Sequence, residues 1–212
     1  MMLAGNHEIA KFLLFSISAV FFPPHLLPTR LRAVAEAELA AVPAWWAEKH
    51  AAAAAARAAG AAPPGWVFPP DAFDVTVAPG EDVQAAVDRC PPGGSVLLLP
   101  GAHDGPLFLD SSKEVHVFGR GQATLRGITA SALTSHSTDA TVDGLILRQE
   151  VMNGDRDDGD FDFFGDRLAE FPCVSIAAGG LRLQACDVTG AAAVCVSISG
   201  GADPRIASCR SV

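Results

Sequence analysis

The sequence predicts an all-β fold, a right-handed parallel β-helix in which successive coils of the chain stack along one axis. The first observation is a repeat: residues 173–186 (CVSIAAGGLRLQAC) return as residues 195–209 (CVSISGGADPRIASC), 22 residues later. The second is that each copy opens with alternating apolar and polar residues, which is typical of a strand with one buried face. A fixed period of this length indicates a unit stacked on its own copy, because one unit alone cannot bury its apolar face.

Residues 1–72 are predicted to form a helical N-terminal segment and a linker, and the solenoid is predicted to span residues 73–212. Residues 31–59 are rich in alanine, which favours a helix. We expect Trp45 and Trp46 to pack this helix against the solenoid or against itself, and an anchor for a partner is the alternative. Prolines then form a stiff linker, at Pro63, Pro64, Pro69 and Pro70.

Residues 12–22 form an apolar run that ends at Pro23. The run is too short to cross a bilayer, so no stable membrane span is predicted. Its length suits the core of a secretory signal peptide, but Glu8 precedes it and no Ala-x-Ala cleavage motif follows it directly. A cytoplasmic location is favoured, and secretion through this segment is the alternative.

The start of the solenoid contains its most specific motif, residues 83–103 (VQAAVDRCPPGGSVLLLPGAH), followed by residues 107–109 (LFL) and 115–121 (VHVFGRG). This stretch resembles the opening of proteins of the pectin-lyase-like superfamily, in which a short amphipathic helix caps the first coil. Val83 and Val87 lie on one face of such a helix, so they are expected to cover the open end of the apolar stack.

The resemblance covers residues 75–212 and implies the fold together with two alternative functions. One group of the superfamily comprises sugar-active enzymes such as pectinesterases, polygalacturonases and pectate lyases. The other comprises non-catalytic β-helix repeats, of the kind found in F-box substrate-recognition proteins and other adaptors. A fold alone does not choose between such functions.

An acidic insertion, residues 153–167 (NGDRDDGDFDFFGDR), is assigned to one turn because insertions in repeat proteins map to loops on one face. Residues 160–165 (DFDFFG) resemble the Asp-Phe-Ile-Phe-Gly motif of pectinesterases, whose aspartate is the nucleophile, but are one residue out of register. The candidate catalytic residues are therefore Asp160 and Asp162. The chain lacks the other motifs of these enzymes, which favours a non-catalytic function.

Calcium binding by Asp155, Asp157 and Asp158 is a further alternative, since calcium prefers carboxylate oxygens. Gly159 comes four positions after Asp155, however, where a calcium loop needs five. A solvated acidic insertion is favoured, so no cofactor is predicted and calcium is kept as the alternative.

The net charge of −9 argues against a nucleic-acid partner, which needs a basic surface. Cys186 and Cys209 occupy equivalent positions in consecutive coils, so they are expected to lie roughly 4.8 Å apart. Buried thiols are favoured there, and a disulfide under oxidising conditions is the alternative. No Cys-x-x-Cys pair exists, so neither a zinc site nor a redox site is predicted.

The predicted function is a non-catalytic recognition or scaffold module for an extended ligand, either a protein segment or a polysaccharide, because stacked coils present flat outer faces. The alternative is a carbohydrate-active esterase or lyase that uses the aspartates of the insertion. The sequence stops at Val212 within an expected strand, so the last coil is predicted to be open. We expect continuation in a longer protein or end-to-end self-association through that coil.

Overall fold

The chain forms a right-handed parallel β-solenoid of about five coils, as the sequence predicts. A computed structural model describes residues 42–61, 65–150, 171–190 and 194–211. The helices of this part are α1 (Ala44–Ala58) and α2 (Val83–Arg89). Its strands are β1 (Val75–Val77), β2 (Gly94–Leu98), β3 (Gly101–Asp104), β4 (Leu107–Leu109), β5 (Val115–Gly127), β6 (Leu133–Ser135), β7 (Thr141–Gln149), β8 (Val174–Ile176), β9 (Arg182–Gln184), β10 (Asp187–Gly190), β11 (Val196–Ile198), β12 (Arg205–Ala207) and β13 (Arg210–Ser211).

The coils present three faces. Face 1 consists of β1, β2, β9, β12 and the first parts of β5 and β7, and face 2 consists of β3, β10, β13 and the second parts of β5 and β7. Face 3 consists of β4, β6, β8 and β11. Faces 1 and 2 belong to one sheet because β5 and β7 continue through the corner between them.

The repeated stretches stack on each other as expected. Val196 pairs with Val174 and Ile198 with Ile176 in a parallel, in-register ladder. Because side chains alternate across a strand, in-register pairing places equivalent apolar residues in continuous inward rows. The members of these rows that are at most 2% exposed include Val96, Val117, Val142, Leu183, Leu125, Leu147, Val188, Leu107 and Leu133.

Helix α2 closes the N-terminal end of the stack, which confirms the predicted cap. Val83 and Val87 are buried in the same apolar cluster as the inward rows. The Asp82 side chain accepts a hydrogen bond from the amide of Ala85 at 2.9 Å and so begins the helix. The solenoid therefore starts with a covered apolar end.

Helix α1 packs across face 1, which confirms the expected packing of Trp46 against the solenoid. The indole Nε1 of Trp46 donates to Oδ1 of Asp143 at 2.9 Å, and Nε2 of His50 lies 2.9 Å from Oδ2. Gln184, on the next coil, donates from Nε2 to the same carboxylate at 2.6 Å. Asp143 is fully buried, so these three donors replace the water that its carboxylate would otherwise bind.

The chain that follows α1 also lies on face 1. Gln184 accepts from the amide of Val67 at 3.1 Å and donates to its carbonyl oxygen at 2.5 Å. Phe73 packs edge-on against Phe118, with 5.5 Å between ring centroids. The outward side chains of Phe118, Asp143 and Gln184 on face 1 are thus buried beneath the N-terminal segment.

The far end of the described solenoid is more open. Val194, Ile198 and Ile206 are 52%, 51% and 45% exposed. Within the described residues no helix is long and apolar enough to cross a membrane. Residues 12–22 and the insertion 153–167 lie outside the described residues, so the predictions made for them stay predictions.

We predict that the same truncation has unequal effects on adjacent coils. Ile176 is fully buried, whereas its neighbour in the ladder, Ile198, is half exposed. Ile176→Ala is expected to lower the free energy of unfolding by about 3 kcal/mol, because it removes buried methyl groups and leaves a cavity. Ile198→Ala is the matched control. It should lower the free energy of unfolding by only about 1 kcal/mol, because half of that side chain is already exposed to solvent.

Urea unfolding followed by circular dichroism measures both free energies. Equal losses for the two variants would contradict the ladder that places Ile176 inside and Ile198 at the open end.

Candidate functional site

The aspartates proposed from the sequence as catalytic or calcium-binding residues lie outside the described residues. These are Asp155, Asp157, Asp158, Asp160 and Asp162. The chain leaves face 2 after Gln149 and enters face 3 at Val174, so the insertion joins these two faces of one coil. In the described part of the chain, no group of three or more histidine, cysteine, aspartate or glutamate side chains could hold a metal ion.

Face 2 carries a row of charged side chains that point away from the core. Its inward residues are buried, including His103, whose Nε2 lies 2.8 Å from the carbonyl oxygen of Leu99. The alternate residues of the same strands are therefore outward, since successive side chains of a strand point to opposite faces. We call this set the arginine row: Asp104, Arg126, Arg148, Asp187, Thr189 and Arg210.

The row follows the solenoid axis. Asp104 pairs in register with Arg126, Arg126 with Arg148, and Arg148 with Thr189. Each step is one strand spacing, about 4.8 Å. Asp187 and Arg210 lie on the neighbouring outward line, two residues earlier in each strand, where Arg210 pairs with Asp187 and Asp187 with Ile146. The two lines together hold three guanidinium groups and two carboxylates, so the arginine row has one excess positive charge.

Asp187 is the centre of the row. Arg148 binds it with both terminal nitrogens, at 3.3 Å from Nη1 to Oδ1 and 3.2 Å from Nη2 to Oδ2. Arg210 donates to Oδ2 at 2.7 Å. The Nη1 of Arg148 also donates to the hydroxyl of Thr189 at 2.7 Å. Paired donors of this kind hold both guanidinium planes in a defined orientation.

The charge of Asp187 is stabilised by this arrangement. Burial by itself would raise the pKa of Asp187, since its side chain is only 5% exposed. The hydrogen bonds and positive charges of Arg148 and Arg210 outweigh burial, so the pKa of Asp187 is lowered. Asp187 is therefore a permanent anion at neutral pH and a poor proton donor.

The other carboxylate of the row is more exposed. Asp104 accepts from Nη2 of Arg126 at 2.6 Å, and the two side chains are 69% and 35% exposed. Solvent screens a pair of this kind, so it contributes little stability. The Nε atom of Arg126 has no hydrogen-bond partner among the described residues. That Nε atom is buried, so it is not accessible to another molecule.

Trp45 borders the row at its far end. The guanidinium carbon of Arg210 lies 4.7 Å from the centroid of the Trp45 ring, a cation–π contact. Trp45 adjoins Trp46 in α1, whose position is set by Asp143. The buried carboxylate on face 1 thus helps to position an aromatic ring beside face 2.

Sequence reasoning missed the arginine row. A signal was present, because Asp104, Arg126 and Arg148 are each 22 residues apart, the same period as the apolar repeat. Comparisons with protein-family models, with curated proteins and with solved structures found no match.

We predict that Asp187→Asn lowers stability in a pH-dependent manner. Because the pKa of Asp187 is lowered on folding, its ionised form contributes stability that is present in full above the ordinary value of 3.8. This contribution is lost as the pH falls through the lower pKa of the folded protein. The difference between wild type and variant should therefore be largest at neutral pH and shrink in acid.

The measurement is the free energy of unfolding in urea at a series of pH values. Asp104→Asn is the control, because its exposed carboxylate is screened by solvent. A difference for Asp187→Asn that does not change with pH would contradict the assignment.

We also predict that Asp143→Asn loosens α1. The new amide nitrogen would be a donor that faces the donors of His50 or Gln184. Removing one partner of a buried polar pair is expected to lower the free energy of unfolding by about 3 kcal/mol. Asp139→Asn is the matched control, because it removes the ion pair with Arg182 at a half-exposed position. It should lower the free energy of unfolding by less than about 1 kcal/mol.

Tryptophan fluorescence and protease cleavage within α1 report on its docking. A red-shifted emission and faster cleavage are expected for Asp143→Asn and not for Asp139→Asn. Unchanged cleavage of Asp143→Asn would show that the carboxylate does not hold the helix.

Proposed function

We propose that the chain is a non-catalytic recognition module that binds an extended, carboxylate-bearing polysaccharide along the arginine row of face 2. The observation that carries this proposal is the placement of Arg126 and Arg148 on successive coils and of Arg210 two coils further along the same face. A ligand stretched along the solenoid axis would meet a guanidinium group at repeated intervals.

Arginine favours a ligand that carries carboxylates. Its planar guanidinium group matches a carboxylate with two parallel hydrogen bonds, and such charge-assisted bonds are stronger than neutral ones. Arg126 and Arg210 are 35% and 53% exposed, so both present donors to solvent. Arg148 is oriented by Asp187 and supports the middle of the row.

The composition of the face favours a polysaccharide over a protein segment. Protein interfaces depend on apolar or aromatic anchors that fill pockets at their centre. The outward residues of face 2 are instead charged or carry hydroxyl groups, such as Thr124 and Thr189, apart from Ala102 and Ile146. Hydroxyl and charged groups on a flat face suit the hydroxyl and carboxylate groups of an acidic sugar chain.

Binding of polygalacturonate to the full chain tests the proposal. Replacing Arg126 and Arg210 together by glutamine should weaken binding at least about tenfold, because each lost charged hydrogen bond contributes about 1.5 kcal/mol or more. Added salt should weaken binding to wild type. Arg205→Gln is the matched control, because Arg205 is an exposed arginine on face 1.

Affinity electrophoresis or calorimetry measures the affinity of each variant. Equal loss for Arg205→Gln and for the double variant would contradict a site on face 2. Tighter binding of poly-glutamate than of polygalacturonate would indicate that the ligand is a protein segment and not a polysaccharide.

A carbohydrate-active enzyme is the second candidate. The observation that favours it is that β7, after which the insertion follows in sequence, ends next to Arg148. Product release from pectin or alginate, with and without calcium, distinguishes the two functions. Turnover that is abolished by Asp162→Ala would show that the chain is an esterase or lyase and not a recognition module.

A further inference from the structure

Four of the five cysteines form two pairs between the last two described coils. All five cysteines lie among the described residues and are free thiols. Cys173 and Cys195 directly precede the paired strands β8 and β11, and Cys186 and Cys209 directly precede the paired strands β10 and β13. Each pair therefore occupies equivalent positions on neighbouring coils.

The pair Cys186 and Cys209 lies at the corner between faces 1 and 2. Each cysteine follows a residue with positive φ, Ala185 at 48° and Ser208 at 57°, so the two corners have the same backbone conformation. The two thiols also make equivalent hydrogen bonds: Cys186 donates to the carbonyl oxygen of Gln184 at 3.3 Å, and Cys209 donates to that of Ala207 at 3.5 Å. Neighbouring strands lie about 4.8 Å apart, which falls within the range of Cα separations that a disulfide spans.

We infer that Cys186 and Cys209 form a reversible redox site, in which a hydroperoxide oxidises the pair to a disulfide that joins the last two described coils. This inference is independent of the proposed polysaccharide binding. It requires one thiol that reaches the oxidant and a second that reacts with the first.

The two thiols differ in the way that these roles require. Cys209 is partly exposed, whereas Cys186 is fully buried. The neighbouring side chain of Cys186 lowers the pKa of Cys209, and burial raises the pKa of Cys186. The thiolate is the reactive form, so Cys209 is the attacking residue and Cys186 the resolving one. Burial raises the pKa of Cys173, in the other pair, to about 12.

The chemistry takes place in two steps. The Cys209 thiolate attacks one oxygen of the hydroperoxide, so that an S–O bond forms, the O–O bond breaks and the leaving oxygen takes up a proton to become water or an alcohol. The product is a sulfenic acid. The Cys186 sulfur then loses its proton and attacks the Cys209 sulfur, so that the S–S bond forms, the S–O bond breaks and water leaves. The two cysteines are oxidised by two electrons and the hydroperoxide is reduced by two.

Titration of the full chain with hydrogen peroxide tests the inference. Wild type should lose two of its five thiols and yield a peptide linked through Cys186 and Cys209, which dithiothreitol releases. Cys209→Ser should yield no such link. Cys186→Ala should stop at the sulfenic acid of Cys209, which a dimedone probe traps.

Cys173→Ala is the matched control, because it removes a buried cysteine of the other pair from the same two coils. It should form the Cys186–Cys209 link at the wild-type rate. A link between Cys173 and Cys195 in wild type, or the absence of any link within the chain, would overturn the inference. Hydrogen exchange of residues 194–211 should be slower in the oxidised protein, and equal exchange would show that the bond does not hold the last coil.

Discussion

In-register parallel pairing of successive coils is the constraint on which the rest of this structure depends. Because each residue lies over its equivalent in the next coil, a choice of residue type at one position is repeated as a row along the axis. Val174 over Val196 extends the core in this way. The same rule places Arg126 beside Arg148 and Cys186 beside Cys209. The core, the charged row and the thiol pairs are therefore consequences of one geometry.

Asp143 is the exception that makes face 1 different from the other two faces. Its neighbours in the outward row are Phe118 and Gln184, so a carboxylate lies between an aromatic ring and an amide. A buried charge of this kind is costly unless donors surround it. Trp46 and His50 supply two of those donors from outside the solenoid. The carboxylate consequently specifies where α1 docks, which an apolar residue in the same row would not do.

The solenoid itself was predictable because its evidence is local and repeated. The repeat of residues 173–186 can be recognised from spacing alone, whereas the cap was expected from the family resemblance, with which the four-residue spacing of Val83 and Val87 agrees. The sequence predicted that a tryptophan of α1 packs against the solenoid, but not which residue it contacts. The hydrogen bond between Trp46 and Asp143 joins residues 97 positions apart that share no motif. A search for Cys-x-x-Cys could not detect a pair whose proximity arises from stacking. The repeat itself predicts the register that stacks Cys186 on Cys209, and the pairing of the residues that follow them confirms this position.

The corner between faces 1 and 2 explains how the docked helix and the arginine row are connected. Other coils place Ala185 and Ser208 at this corner with positive φ, whereas the coil that contains Asp143 has Gly144, with φ of 63°. A Cβ at Gly144 would collide with the indole nitrogen of Trp46. Glycine is therefore needed there for the approach of α1, since Ala185 and Ser208 adopt the same backbone conformation with a side chain. The same approach of α1 places Trp45 beside Arg210. Gly144, by having no side chain, therefore contributes to the shape of the far end of face 2.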